Sequence, residues 1–346
     1  FCFLIYIIAV AIPSPRTAAV THEMAVQPFF DSPPIVTSII YFVLVFVFAV
    51  NRSRIIGLIG KFLTPIIVII LLVIIGIACF TSPGNIQATT FKNPLVKGIM
   101  EGYQTFDAIA GVVVGAVIII SLDYSSHTTF TARRTLIRKA GFIAGFGLLL
   151  IYGGLILSGA LFSSTFAENA SRIEVLSGLS TQTLGNLGTT FLSVLVALAC
   201  FTTAVGIVTG TADYIKGIFN NSKKAYLITA AICAVIGIVV GSYNVGFIID
   251  VAVPALMFVY PITIILILLN VVPEKFASKL VFRGVILVTF IFSIPDFLVF
   301  IPNLKNLAIE MKSYVYLGEF NLGWVLPALL SFILLNLIHL PKKGIL

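Results

Sequence analysis

The sequence predicts an all-α integral membrane protein on the basis of its composition, its long apolar runs and the placement of its basic residues. Hydrophobic residues make up 59% of the 346 residues and charged residues only 10%, with a mean hydropathy of +1.14. Soluble domains are roughly 45–50% apolar and about 25% charged. We therefore predict a single transmembrane domain covering residues 1–346.

The apolar runs favour helices over the strands of a barrel. In lipid, every backbone polar group must be bonded within a helix or a closed barrel. Barrel strands alternate polar and apolar residues, whereas Ile66 to Ile77 and Val112 to Ile120 are continuously apolar. The chain is thus predicted to cross the bilayer as helices.

A span needs about 20 mostly apolar residues, and ten segments of the chain meet this requirement. They cover approximately residues 1–26, 33–50, 56–80, 99–122, 138–163, 189–215, 225–242, 246–271, 280–302 and 321–340. The connecting segments are short except for 81–98, 164–188 and 303–320, which are more polar. These three all fall on one side of the membrane.

The basic residues set the orientation. If the first span starts in the cytoplasm, 15 of the 21 Lys and Arg residues lie on the cytoplasmic side, as the positive-inside rule requires. The net charge of +8 is thereby explained by short cytoplasmic loops. We expect a multi-pass protein whose surrounding partner is the lipid bilayer, with no nucleic-acid partner.

Reactive side chains are few and scattered. The four cysteines are Cys2, Cys79, Cys200 and Cys233, and they lie in or at the ends of apolar segments without paired spacing. They are typical of small buried apolar residues. The three histidines are equally dispersed, so the sequence predicts neither a metal centre nor a catalytic triad, and no organic cofactor.

Asp107 is the strongest candidate for a functional residue within a span. A charge in the hydrocarbon costs at least ~2.5–3.5 kcal/mol, and Asp107 lies about eight residues into the fourth span, followed by Gly111 and Gly115. Glycines at this depth allow a helix to break and to present main-chain groups to a polar ligand. The alternative is a capped helix start with small residues for close helix packing.

A second candidate is the segment from Ala199 to Gly206. Thr202 and Thr203 are adjacent hydroxyls in an otherwise apolar span, and hydroxyl and carbonyl oxygens suit a hard cation such as Na⁺. The alternative is that both hydroxyls bond to the preceding turn of their own helix.

Prolines and charges mark three further places. Two prolines interrupt the first span, where Arg16 precedes Glu23 by two helical turns. Pro254, Tyr260 and Pro261 predict a bend in the eighth span, with Asp250 near its outer end. Asp296, beside a proline, carries little weight as a functional residue on sequence alone.

Together these motifs resemble those of the branched-chain amino acid:cation symporters, the bacterial carriers of leucine, isoleucine and valine. The stretch Pro15-Arg-Thr-Ala-Ala-Val-Thr-His-Glu-Met24 resembles the P-R-T-A-x-x-x-x-E of the family's third helix, and Gly102-Tyr-Gln-Thr-Phe-Asp107 resembles the G-Y-x-T-x-D of its sixth. Ala199 to Gly206 resembles the A-C-L-T-T-A-x-G of the eighth helix, and Asp250 to Pro261 resembles the tenth. The match is collinear over essentially the whole chain.

The resemblance implies a fold of two inverted repeats of five helices, as in the amino acid–polyamine–cation transporters. Residues 1–80 would be the last three helices of the first repeat, 99–271 the second repeat, and 280–340 two additional helices. Family members have twelve spans, so we expect a longer protein to carry the broken first helix. We expect these 346 residues alone to insert into a membrane without transporting.

The resemblance also implies the site residues and the activity. The substrate cavity would be lined by Gly102, Tyr103, Gln104, Thr105, Phe106, Asp107, Gly111 and Gly115. Na⁺ would bind the Ala199 carbonyl and the hydroxyls of Thr202 and Thr203. The expected activity is uptake of branched-chain amino acids across the bacterial cell membrane, coupled to Na⁺ or H⁺.

Two other classes of membrane protein fit the sequence less well than a transporter does. A membrane enzyme needs converging catalytic groups, and the basic loops contain almost no acidic or His partners. A channel or a sensory or structural membrane protein remains the alternative, although no filter-like loop is visible.

Overall fold

The structure, a computed structural model, describes residues 2–51, 64–81, 86, 88–89, 91–103, 105, 107–125, 130–167 and 170–339. Regular secondary structure in these ranges is entirely helical, which confirms the predicted all-α class for them. The helices are Cys2–Ala11, Pro13–Thr21, the π-helix His22–Val26, Pro34–Val50, Thr64–Thr81, Pro94–Tyr103, Asp107–Ser125, Phe130–Leu161, Arg172–Ile218, Lys223–Gly241, Val245–Val271, Lys279–Leu298, Lys305–Ser313 and Val325–His339. Short 3₁₀ turns lie at Ser163–Thr165, Glu274–Phe276, Pro302–Leu304 and Gly318–Phe320.

Within the described ranges, seven helical segments are long and apolar enough to cross a membrane by length and composition. Each overlaps one of the ten predicted spans. The other three predicted spans overlap the helices Pro34–Val50, Asp107–Ser125 and Val325–His339, which are not among the seven. An integral membrane protein is therefore supported, and the count of ten stays a prediction.

The long polar connections contain more helix than their composition suggests. The segment predicted to connect spans at 164–188 is mostly the first part of the helix Arg172–Ile218. A capping box starts this helix: the Glu174 N–H donates to Ser171 Oγ at 3.2 Å, and the Ser171 N–H donates to Glu174 Oε2 at 2.6 Å. Because these bonds satisfy otherwise unpaired N–H groups, a polar segment begins a helix here.

The first predicted span is not one regular helix. An α-helix ends at Ala11, a second runs from Pro13 to Thr21, and a π-helical turn follows over His22–Val26. Pro13 cannot donate a backbone hydrogen bond, which interrupts the i→i−4 pattern at that point. The interruption that the two prolines predict is thus present.

The chain forms two compact units, which are described separately. The larger comprises Tyr6–Thr90 and Val113–Val245. In it, the helix Pro34–Val50 packs on Lys223–Gly241, and Phe42, which has no solvent exposure, lies where a Cβ on Gly237 would stand. A glycine here lets the two helices approach closely.

The smaller unit comprises Phe1–Ile5, Phe91–Val112 and Gly246–Leu346. Its best-packed pair is Lys279–Leu298 against Val325–His339. Val281 and Val285 are buried on the first of these helices. This division follows packing, so the repeat boundaries at 80, 99, 271 and 280 stay a prediction.

Candidate functional site

A helix breaks at the segment singled out in the sequence. The helix Pro94–Tyr103 ends, and a new helix begins at Asp107. Between them Thr105 lies in a turn, where its N–H and its hydroxyl both donate to the Gly102 carbonyl, at 3.2 and 2.8 Å. The predicted site residues Gln104 and Phe106 lie outside the described residues. Two helix ends therefore meet at this position, each with main-chain groups that its own helix does not satisfy.

Asp107 is the first residue of the new helix. Its N–H lies 3.5 Å from Thr105 Oγ1, a long hydrogen bond at the edge of the turn. A carboxylate in the first turn lies at the positive end of the helix dipole, where negative charge is stabilised. The helix start at the break therefore explains how a carboxylate is tolerated within this predicted span.

Tyr260 joins the two sides of the break, a role that the sequence did not reveal. Its hydroxyl accepts the Ala108 N–H at 3.3 Å and also interacts with the Thr105 side chain. Its ring lies 4.8 Å, centroid to centroid, from that of Tyr103, at an angle of 34°. The signal for this role in the sequence is the presence of a tyrosine inside an apolar span. A buried tyrosine hydroxyl requires a hydrogen-bond partner, and here that partner lies on another helix.

Gly111 and Gly115 do not serve close helix packing within the described residues. A Cβ built on either glycine meets no atom within 4 Å, whereas one built on Gly237 would overlap Phe42. Packing glycines in membrane helices are small because a neighbour touches them. Close packing against another described helix therefore does not explain these two glycines, and their role in lining a substrate site stays a prediction.

The candidate cation ligands form a compact group of three oxygens. The Thr202 hydroxyl donates to the Ala199 carbonyl at 2.8 Å, and the Thr203 hydroxyl donates to the same carbonyl at 2.9 Å. Thr202 is half-buried and Thr203 is exposed. Both hydroxyls thus bond to the preceding turn of their own helix, which is the alternative to ion binding. The role of these residues in binding an ion stays a prediction.

Two of the sequence motifs lie against each other. The helix Pro13–Thr21 packs on Arg172–Ile218, and Cys200 lies beside Arg16 and Thr21. Tyr41 contributes a hydroxyl to the same group. The Ala199–Thr203 oxygens are therefore bordered by a polar cluster that contains an arginine.

The charged and polar residues after Arg16 have specific partners. Glu23 Oε1 accepts the Val245 N–H at 2.8 Å, at the start of the helix Val245–Val271. His22 Nδ1 lies 2.8 Å from Thr37 Oγ1. Both contacts lie within the larger unit, whose last residue is Val245.

Glu23 also borders an open depression of about 1090 Å³ in the larger unit. His22, Asp31, Tyr243 and Asn244 contribute polar groups to its wall. None of the predicted site residues that the structure describes is part of this wall. In the described part of the chain, no three His, Cys, Asp or Glu side chains come together as a metal site.

Comparison with known proteins gives one family over almost the whole chain. Residues 1–342 match the family described as "Branched-chain amino acid transport protein". The branched-chain amino acid permease BraB of Bacillus subtilis is 30% identical over 92% of this chain and 74% of its own length. The branched-chain amino acid transport system 2 carrier protein of Pseudomonas aeruginosa is 31% identical over 93% and 74%.

A third relative, the permease BrnQ of Corynebacterium glutamicum, is 30% identical over 95% of this chain and 75% of its own length. No solved structure matches the chain. The family and these relatives are transporters and not enzymes, which removes the membrane-enzyme alternative.

Proposed function

Because the chain belongs to the branched-chain amino acid transport protein family, we propose that it carries leucine, isoleucine and valine across the bacterial cell membrane. Transport is secondary active uptake, coupled to Na⁺ or H⁺. The observation that carries this proposal is the break between Tyr103 and Asp107. A broken helix offers main-chain donors and acceptors inside a membrane protein, where a zwitterion would otherwise find none.

The chemistry of the break suits an amino acid. The Asp107 carboxylate provides negative charge for an ammonium group, while the first N–H groups of the helix that begins at Asp107 favour a carboxylate. The aliphatic side chain needs only apolar surface and space, and a Cβ built on Gly111 or Gly115 meets no atom within 4 Å, so neither position is filled by a neighbouring side chain. Selection among aliphatic side chains then depends on the shape of the cavity.

The coupling ion is assigned to the Ala199–Thr203 oxygens. A hydroxyl that donates to a carbonyl keeps lone pairs that face away from this bond. Na⁺ beside Thr202 and Thr203 would use these lone pairs, so the local bonds and ion binding are compatible. Protons are the alternative coupling ion, with Asp107 as the first carboxylate to test.

The proposal includes the fold of the family. Ten spans are assigned to this chain, with 1–80 and 99–271 as parts of two inverted repeats and 280–340 as two additional helices. Support comes from the helix break, which falls in the span that corresponds by resemblance to the sixth helix of the family.

The test is uptake of radiolabelled leucine by cells that lack other branched-chain amino acid carriers and express a full-length carrier that contains these 346 residues, the parent of all variants below. We expect accumulation above the external concentration and inhibition by excess isoleucine or valine. Dissipating both the Na⁺ and the proton gradients should abolish accumulation. A channel would only equilibrate leucine, and uptake that survives loss of both gradients but stops on ATP depletion would exclude secondary transport.

A further inference from the structure

A buried ion pair lies in the smaller unit, apart from the residues assigned to substrate or cation. Lys312 Nζ is 3.0 Å from Asp296 Oδ1, and the two side chains are 11% and 3% exposed. Asp296 belongs to the helix Lys279–Leu298, directly after Pro295, and Lys312 belongs to the short helix Lys305–Ser313. A buried ion pair usually contributes little net stability, because the cost of desolvating both charges opposes their attraction. This pair therefore requires another explanation.

The lysine is held in place by the backbone around it. Lys312 Nζ also donates to Asn321 Oδ1, and Asn321 and Leu317 both adopt left-handed conformations, with φ of 57° and 62°. A Cβ on Gly318, which lies between them, would overlap the Lys312 carbonyl. Non-glycine residues in this region are strained and persist only when their surroundings enforce them. The loop thus fixes where the ammonium group lies.

The half-helix Pro94–Tyr103, which leads into the break, is fixed in part by one buried aromatic side chain. Tyr103 is the one buried side chain among its ten residues. The other nine are exposed or half-buried. The position of this half-helix, and with it the width of the break, therefore depends on what surrounds Tyr103.

Tyr103 lies between the break and the ion pair. On one side its ring packs on Tyr260, at 4.8 Å between centroids. On the other, its hydroxyl interacts with the Trp324 indole and lies close to the Asp296 carboxylate. Trp324 Nε1 and Asp296 Oδ2 are buried and lack a partner with full hydrogen-bond geometry, so the Trp324 contact is a polar approach and not an ideal hydrogen bond.

We propose that Asp296 and Lys312 are positioning residues for transport, which hold the half-helix Pro94–Tyr103 through Tyr103 and Trp324. The proposal rests on the proposed function of the break as the substrate site. Asp296 and Lys312 hold each other beside the Tyr103 hydroxyl and the Trp324 indole. Replacing either partner lets the other move, and replacing both removes these polar surroundings of Tyr103 altogether. The break then loses its geometry although no group in it has been replaced.

The experiment compares leucine uptake by the parent with Asp296→Asn, Lys312→Met and the double variant Asp296→Leu/Lys312→Met, normalised to protein in the membrane. Each single variant should raise the leucine concentration for half-maximal uptake by roughly tenfold or more, because misplaced binding groups lose their contacts. The maximal rate should fall less.

The double variant distinguishes a role of the ion pair in positioning the half-helix from a role in folding of the protein. Replacing both members of a buried pair by apolar residues is often neutral for stability, so we expect normal expression and an uptake defect like that of the single variants. If the double variant restores the parent's half-saturating concentration, the pair has only a structural role. Lys305→Met is the matched control, with the same substitution at an exposed lysine of the same short helix, and should behave like the parent.

A second measurement does not depend on the substrate. In a background without native cysteines, Thr105→Cys reports the accessibility of the break to an impermeant thiol reagent. Adding Lys312→Met should change the labelling rate by roughly fivefold or more, because the half-helix has shifted. An unchanged rate contradicts the proposal even if leucine proves not to be the substrate. No leucine uptake by the parent, with a changed labelling rate, would instead contradict the proposed function alone.

Discussion

At the scale of single residues, the sequence revealed the groups that carry unusual chemistry and missed those whose role comes from packing. Asp107 and the glycines after it stand out because charge and flexibility are costly in a span. The sequence marked Tyr260 only as part of the predicted bend in the eighth span, since nothing within its own helix shows that its hydroxyl accepts the Ala108 N–H. Its partner is 152 residues away in the chain.

Tyr260→Phe tests whether this hydroxyl supports the break. The variant keeps the ring next to Tyr103 and removes the bond to the Ala108 N–H, at a cost of about 1 kcal/mol. We expect normal expression and an increase of about fivefold in the half-saturating leucine concentration. Tyr314→Phe, at a tyrosine that is 81% exposed, is the control and should have no effect. Equal leucine dependence in both variants would remove Tyr260 from the site.

Gly111→Ala distinguishes a ligand cavity from a helix contact. The added methyl meets no protein atom within 4 Å, and alanine favours a helix over glycine by up to about 1 kcal/mol. Thermal stability in detergent should therefore be unchanged or higher, while leucine uptake falls because the methyl group occupies ligand space. Gly237→Ala should show the opposite pattern of lowered stability, because its methyl overlaps Phe42. Full uptake by Gly111→Ala would place the substrate elsewhere.

Thr203→Ala tests the cation site. If the hydroxyl only bonds to the Ala199 carbonyl, its loss costs about 1 kcal/mol or less and leaves the Na⁺ dependence intact. If it is an ion ligand, the variant needs much more Na⁺ for half-maximal leucine uptake at normal expression, and Thr203→Ser is mild because it keeps the oxygen. Identical Na⁺ titrations for parent and Thr203→Ala would exclude the residue. A parent that responds to pH but not to Na⁺ would indicate proton coupling.

At the scale of helices, hydropathy located the apolar segments but not where helices begin or break. The helix Arg172–Ile218 extends well before the apolar run that predicted it, and it contains a kink at Gly185, with φ 70° and ψ −174°. The Ser171 and Glu174 spacing is a readable start signal. The position of the kink cannot be predicted from the sequence, because several glycines nearby would permit it and only the packing of the helix selects one of them.

Gly185→Ala should destabilise the protein. The backbone at Gly185 lies in a region that is essentially restricted to glycine, so a side chain there costs about 1–3 kcal/mol. We expect a lower midpoint of thermal unfolding in detergent. Gly147→Ala, in a regular helix with open space around it, should be neutral or slightly stabilising. Equal midpoints for the two variants would contradict the kinked geometry.

At the scale of the whole molecule, composition and charge predicted the class and the orientation, and the comparisons confirmed the family. The predicted spans overlap helices in the described ranges, because a helix that crosses the bilayer needs a minimum length of apolar residues. The packing of helices into two units could not be predicted, since it depends on shape-specific contacts such as Phe42 against Gly237.

The orientation is tested with single cysteines in a cysteine-free background. Lys224→Cys and Glu274→Cys should be shielded from an impermeant thiol reagent in intact cells, while Gln182→Cys should label, as the positive-inside rule requires. All three positions are exposed in the structure. Labelling of both inner positions from outside would reverse the orientation.

The bond between Glu23 and the Val245 N–H has a consequence for the order of events during synthesis. The two residues are 222 positions apart, so at about 5–20 residues per second Glu23 leaves the ribosome roughly ten to forty-five seconds before its partner exists. During that interval its carboxylate must be satisfied by water or by another helix. Glu23 therefore spends this interval in provisional surroundings, and only the emergence of Val245 supplies the N–H that it finally accepts.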